Sequence, residues 1–311
     1  MEKIKLSKKK IKIIISIIIF TIIIIYLISI LTTTGFLQAS KIDEKDLSTW
    51  EYEDGKIKNT DEFSILGKTE TCWILINSYT ATVSEMRPLA QVINSELGDF
   101  VFVAKLSGHG EVPSHLEGKN LDIWYKEVES RYRTLNNSLC DNFNVVGSSL
   151  GSVIALRLAE EHELKRVYVL NPFISKKYEF YKILPFETRT KLFSGILNYK
   201  KKSIIGEINS PEGRAAHISY WNLPYEPIKD SLPFIEQTRE NLNKINETVF
   251  IAYSENDAVT GEHSAQIIIN GLTNTKSKIA LNYKNSNHIL LMDNDRIAVM
   301  HDIIVYEKQN R

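Results

Sequence analysis

Net charge is the first thing this sequence lacks, since 38 basic side chains meet 38 acidic ones. No whole-protein field of one sign is left to attract a nucleic acid, and no such partner is expected. Cysteine is scarce, with two in 311 residues, and the seven histidines do not pair with cysteines or carboxylates at ligand spacing. No metal centre is expected from such a pattern. There is no glycine-rich phosphate loop, and beyond the amino-terminal segment no internal repeat or low-complexity tract. The chain therefore implies no cofactor. What remains is an ordinary globular composition, 43% hydrophobic and 24% charged, in which chemistry has to be sought locally.

One stretch lacks charge altogether. Six lysines (Lys3, Lys5, Lys8, Lys9, Lys10 and Lys12) precede "IIISIIIFTIIIIYLISIL", which runs from Ile13 to Leu31. As a helix this run would be about 28 Å long, close to the ~30 Å apolar core of a bilayer. Isoleucine is a mediocre helix former in water, but in lipid a single span has to satisfy its backbone internally, and the helix does so. The competing reading is a cleaved signal peptide, whose apolar region is usually shorter; "FLQASK" is also a poor cleavage site. The lysines mark the cytoplasmic side. The expected layout is a cytoplasmic tail over residues 1–12, a transmembrane helix over 13–33, a linker over 34–68 and a folded domain over 69–311. The protein is then a single-pass cell-membrane protein with its domain outside the cytoplasm.

From Cys72 onward, short β-rich apolar runs ("CWILINSY", "FVFVAKL", "FNVVG", "RVYVLNPF", "ETVFIAYS", "SKIALNY") alternate with amphipathic helical stretches. Such alternation predicts an α/β fold with a mostly parallel sheet and helices on both faces. Functional groups then collect beyond the carboxyl ends of the strands. The alternation breaks between about residues 175 and 245. That segment holds five of the eight prolines and many aromatics, and it reads as a helical insertion placed as a lid over the sheet edge.

Within "FNVVGSSLGSVIALRLA", Gly147, Ser149 and Gly151 stand in G-x-S-x-G spacing between a strand and a helix. That is the nucleophile-elbow pattern, in which the serine sits on a strained turn and the glycines let strand and helix pack closely. The helix that follows supplies positive potential where an oxyanion would form. The bland alternative is a small-residue turn. A serine hydroxyl needs a base, usually histidine oriented by a carboxylate, and the partners follow in the order serine, acid, histidine. Of the later histidines, His263 and His301 fall in helical runs, whereas His288 follows the last strand in "YKNSNHILL". Asp257, which ends "FIAYSEND", is the expected acid, with Glu255 and Asp230 as substitutes. Leu150 should give one oxyanion N–H, and the loop after the first sheet strand, "LINSYTATVSEMRPLA", the other.

These residues resemble the α/β-hydrolase superfamily, in particular its carboxylesterase and monoacylglycerol-lipase branch. "NSYTATVSEMRPLA", "KLSGHGEVPSHL", the elbow, "SEND" and "NSNHILLMDND" carry the likeness, which extends over about Cys72 to Val305. The resemblance implies a triad of Ser149, Asp257 and His288, an oxyanion pair on Tyr79 and Leu150, and an architectural role for His109. One departure stands out. The usual His-Gly before the oxyanion residue is Asn77-Ser78 here, so a glycine that permits close backbone approach is replaced. In the resembled fold the strands near Cys72 and Cys140 are neighbours, which puts these two residues within disulfide reach; two separate buried thiols are the alternative. Phe180, Tyr181, Phe186, Phe193, Tyr220, Trp221 and Tyr225 of the insertion either line an apolar pocket or pack the lid on itself.

The expected function is a membrane-anchored serine hydrolase that cleaves carboxylic esters, lipid or acylglycerol esters among them, through an acyl-enzyme. An aminopeptidase-like or acyltransferase activity with the same triad is one alternative. A non-catalytic anchored binding module is another.

Overall fold

The computed structural model describes residues 7–33, 42–136, 140–176, 186–193, 198–202 and 206–311. Strands of the main sheet are labelled in chain order: β1 (Phe63–Ile65), β2 (Thr71–Ile76), β3 (Phe100–Ala104), β4 (Asn142–Ser148), β5 (Arg166–Leu170), β6 (Thr248–Tyr253) and β7 (Lys278–Asn282). They lie in the order β7-β6-β5-β4-β2-β3-β1. All neighbours are parallel except β1, which pairs antiparallel with β3. Every residue of β3 and β5 is buried, as expected of strands covered on both faces.

Side-chain alternation divides the interior into two layers. Cys72, Ile74 and Ile76 of β2 face one core together with Leu121, Trp124, Val153, Ile154, Phe234 and Ile268. Trp73 and Leu75 face the other, with Leu89, Ile93, Val299 and Ile303. Helices α4 (Leu121–Asn136), α5 (Leu150–Glu161), α8 (Tyr225–Glu240) and α9 (Gly261–Gly271) thus cover one face, and α3 (Arg87–Leu97) and α10 (Arg296–Gln309) the other. The other helices among the described residues are α1 (Lys8–Thr33), α2 (Glu44–Thr49), α6 (Phe186–Phe193) and α7 (Pro211–Ala216). Helix α3 ends where Gly98 takes φ 72°, a left-handed cap that glycine adopts without strain.

The register brings the carboxyl ends of the strands to one rim. Ile76 lies opposite Gly147, Ser148 opposite Leu170, Leu170 opposite Ala252, and Tyr253 opposite Asn282. The loops that follow these residues meet there. At the other end Cys72 and Cys140 are joined by a disulfide with a Cα–Cα distance of 5.7 Å.

Two regions are more ordered than their sequences suggest. The stretch read as linker contributes α2, a small hairpin (Tyr52–Glu53 with Lys56–Ile57) and β1 itself, so the sheet begins before residue 69. Helix α2 is docked: the Asp46 carboxylate accepts the Trp221 N–H at 3.1 Å, Asn222 Nδ2 donates to the Ile42 carbonyl at 2.7 Å, and Lys45 Nζ lies 4.3 Å from the Trp221 ring centre. The insertion carries a short antiparallel pair, Tyr199–Lys201 with Asn222–Pro224, where only helices were expected. Local polarity hid both, since these short strands and turns take their stability from contacts remote in sequence.

Over Lys8–Leu27 helix α1 is apolar, with a mean hydropathy of 2.5, and is unburied by the other described residues. Length and composition suffice for it to span a bilayer.

Candidate active site

Ser149 occupies the turn between β4 and α5 with φ 51° and ψ −114°, a strained conformation for a residue with a side chain. Its N–H donates to the Leu170 carbonyl at 2.9 Å, and its carbonyl accepts the N–H groups of Ser152 and Phe173. The neighbouring glycines are needed sterically. A Cβ on Gly147 would come 2.3 Å from the Gly151 carbonyl oxygen, and one on Gly151 would come 2.6 Å from that of Ile76.

The other two chemical groups arrive from the loops after β6 and β7. His288 Nε2 lies 2.7 Å from Ser149 Oγ, and His288 Nδ1 lies 2.8 Å from Asp257 Oδ2. Asp257 Oδ1 accepts the N–H of Val259 and of Thr260, while Oδ2 also accepts the Thr260 hydroxyl at 2.6 Å. Burial pushes the Asp257 carboxyl up, but the His288 charge and these hydrogen bonds outweigh it and hold the group below its ordinary value. Burial likewise pushes the His288 imidazole down, yet the charge and hydrogen bond of Asp257, with a contribution from Glu207, leave it raised. The arrangement can take a proton from a serine hydroxyl and keep the resulting imidazolium oriented.

Tyr79 and Leu150 line one narrow cleft with Asn77, His109, Trp124 and Gly151. Among the described residues, neither main-chain N–H of this pair is taken up by another group, so both are free to meet a developing negative charge. His109 is buried and packs edge-on against Trp124 and Tyr79; burial lowers its imidazole to about 4. The substitute acids lie elsewhere: Glu255 is exposed and pairs with Lys284, and Asp230 pairs with Lys229. His263 and His301 are exposed on α9 and α10.

The insertion closes over this rim. Tyr220 N–H donates to the Thr80 carbonyl at 3.1 Å, Ser219 bridges to Ala81, and Tyr79 Oη donates to the Pro224 carbonyl. On the far side Ile289 N–H donates to the Glu207 carbonyl. Ser149 and His288 are each 4% exposed beneath these contacts. Tyr220 packs the lid down, its hydroxyl bonded to the Gly108 carbonyl and the Glu111 N–H. Trp221 and Tyr225 are half-buried lid residues. Phe180 and Tyr181 lie outside the described residues, as do the side chains of Phe186 and Phe193.

Several supporting residues gave no sequence signal. Asn171, with φ 40°, donates from Nδ2 to the carbonyls of Asn287 and His288 and accepts the Ser254 N–H on Oδ1. Asp293 accepts the N–H groups of Asn209, Ser210 and Asn287, joining the lid to the histidine loop. Lys202 and His217 are buried residues of the insertion: the Lys202 charge pulls the His288 imidazole down, and burial, with the charges of Lys202 and His288 adding, holds the His217 imidazole well below its ordinary value. Away from this rim, Glu129, Glu161 and His162 come within 4.8 Å of one another, but His162 pairs with Glu129 and Glu161 accepts the Tyr125 hydroxyl.

The fold is matched over most of the length of solved structures. A structure described with two metagenome-derived lipolytic enzymes, LipS and LipT, superposes with a TM-score of 0.72 over 81% of this chain and 98% of its own, at 18% identity. The chain has the α/β-hydrolase fold. A Paleococcus ferrophilus monoacylglycerol lipase of this fold gives a TM-score of 0.67 over 79% of the chain and 96% of its own, at 15% identity. By sequence, the hydrolase domain is 26% identical over 228 residues to a thermostable monoacylglycerol lipase of a Bacillus species, covering 73% of this chain and 86% of that one. It is 25% identical over 232 residues to a carboxylesterase of Bacillus subtilis, covering 74% and 89%. No family model matches the chain. Its relatives are thus lipases and esterases that share this fold.

Proposed function

We propose that this protein is a membrane-anchored serine hydrolase of carboxylic esters. The observation that carries the reading is the continuous chain Ser149 Oγ, His288 Nε2, His288 Nδ1, Asp257 Oδ2, with links of 2.7 and 2.8 Å. In this reading Ser149 attacks the ester carbonyl as His288 takes its proton, and the N–H groups of Tyr79 and Leu150 receive the oxyanion. The alkoxide leaves with the proton returned by His288. Water then attacks the acyl-enzyme on Ser149 by the same route in reverse, releasing the acid.

The esterase and lipase names of the relatives favour an ester over an amide, and acylglycerol esters are the substrates we put first. In this proposal α1 crosses the bilayer with the lysines on the cytoplasmic side, and α2 holds the domain close to the outer surface, where lipid esters are at hand. A protease added outside intact cells should cleave the domain and leave the lysine-rich tail intact.

A hydrolysis screen of the full-length chain in detergent tests the assignment. Turnover of short- and medium-chain esters and monoacylglycerols, with none of aminoacyl amides, is the expected result. Amide cleavage without ester cleavage would replace it with the peptidase-like alternative.

A further inference from the structure

The serine that replaces the usual glycine beside the oxyanion loop has a partner, which lies seven residues further on. Glu85 ends the short 3-10 turn Val83–Glu85 and is fully buried. Its Oε2 accepts both the Ser78 N–H at 3.1 Å and the Ser78 hydroxyl at 2.6 Å. Thus one buried group holds both the main-chain N–H and the hydroxyl of the residue before Tyr79.

We infer that Glu85 is a positioning residue that holds the oxyanion loop in place through Ser78, the Ser78–Glu85 pair fixing by hydrogen bonds a position that glycine usually occupies. The physical argument is one of angular tolerance. An oxyanion donor works only when its N–H is already aimed at the place where charge develops. Ser78 is fixed in that loop by its two hydrogen bonds to Glu85. Two residues beyond Ser78, Thr80 has φ 65°, so the loop bends beside the Ser78–Glu85 pair. Asn77 adds a local tie, its Nδ2 donating to the carbonyls of Ser78 and Ala81. Glu85 has the longer reach, holding both donors of Ser78 from seven residues further on. A full negative charge behind an oxyanion would oppose it, and burial pushes the Glu85 carboxyl up, toward the neutral form, against the opposing pull of Ser148, Ser78 and Lys202.

The inference rests on the ester-hydrolase reading, and the experiment separates the two. The full-length chain in detergent is assayed on p-nitrophenyl butyrate as wild type, Glu85→Gln, Glu85→Ala, Ser78→Gly and the double variant Ser78→Gly/Glu85→Ala, each also followed by thermal unfolding and fluorophosphonate labelling. Glutamine keeps a carbonyl acceptor for Ser78 and should stay within about threefold of wild-type kcat, as the acceptor survives. Alanine should lower kcat roughly 10- to 100-fold with KM little changed, the size expected when a reacting group is misplaced by about an ångström. In the Ser78→Gly background the alanine change should cost much less, a non-additivity that a purely structural role would not produce. A folded Glu85→Ala protein with wild-type kcat overturns the inference and leaves the hydrolase reading intact, as does a cycle in which the two changes simply add. If Glu85→Ala does not fold, equal losses in Glu85→Gln and Ser78→Gly overturn it. A folded wild-type chain that neither turns over esters nor labels sinks both readings.

Discussion

Nδ2 of Asn171 lies 2.8 Å from the carbonyl oxygens of both Asn287 and His288, while its Oδ1 accepts the Ser254 N–H at 2.7 Å. One side chain at the end of β5 therefore ties the loop carrying the histidine to the loop carrying the aspartate. Asparagine suits the site because it tolerates positive φ, and Asn171 has φ 40°. Asn171→Ala leaves buried polar groups unpaired and should destabilise the fold by about 1–3 kcal/mol. It should also lower kcat by roughly 10- to 100-fold through loss of alignment. Steady-state kinetics at a temperature well below the unfolding midpoint checks this; unchanged kcat would remove Asn171 from the positioning network.

The pH dependence should follow His288. The neutral imidazole is the base, so protonation stops the reaction, and Asp257 raises this group above the ordinary 6.5. The rate kcat/KM should consequently fall as pH drops through a midpoint above 6.5. Asp257→Asn removes the principal upward influence, so the midpoint should move to lower pH. The plateau should drop by on the order of 10³–10⁴-fold, since the histidine is no longer held in the right tautomer. A pH–rate profile of both proteins decides it, and an unmoved midpoint would contradict the account.

The disulfide should matter to stability and not to chemistry. Cys72 and Cys140 are 68 positions apart and sit at the rim opposite the triad. Opening a loop of that length should cost about 4 kcal/mol on a chain-entropy model. Urea unfolding of oxidised and reduced protein would show it as a lower midpoint, with kcat of the folded fraction unchanged. Equal midpoints would count against a stabilising bridge.

Asp46 should make the docking of α2 on the lid pH-sensitive. Burial raises its carboxyl to about 7 against the opposing hydrogen bond from Trp221. A folded-state value above the unfolded 3.8 means that the contact's full stability is present below that pH and is lost as pH rises through about 7. Hydrogen exchange at the Trp221 amide, which donates to Asp46, should accelerate above that point. Asp46→Asn keeps the acceptor without the charge and should flatten the dependence; an amide whose protection is pH-independent in the wild type would refute it.

Much of this architecture was legible in the sequence, for identifiable reasons. Near-continuous apolar runs mark strands buried on both faces, and the elbow's glycines are dictated by backbone atoms less than 3 Å from where a Cβ would stand. Serine, acid and histidine could be ordered because each follows a recognisable strand. Other residues could not be read in this way. Asn171 looks like any turn asparagine, and its partners are 116 and 117 positions away. Glu85 looks like a solvated helix-start acid until the fold buries it beneath Ser78. Helix α2 and β1 are short and polar, and the contacts that order them, with Trp221, Asn222 and β3, lie far along the chain.

The most direct test is covalent. Full-length protein treated with a fluorophosphonate and mapped by peptide mass spectrometry should carry one adduct, on Ser149. The adduct should be absent from Ser149→Ala and form at least ~10³-fold more slowly in His288→Ala, as the loss of a base from such a triad implies. A folded protein that never labels, or one that labels equally well after Ser149→Ala, would contradict the account.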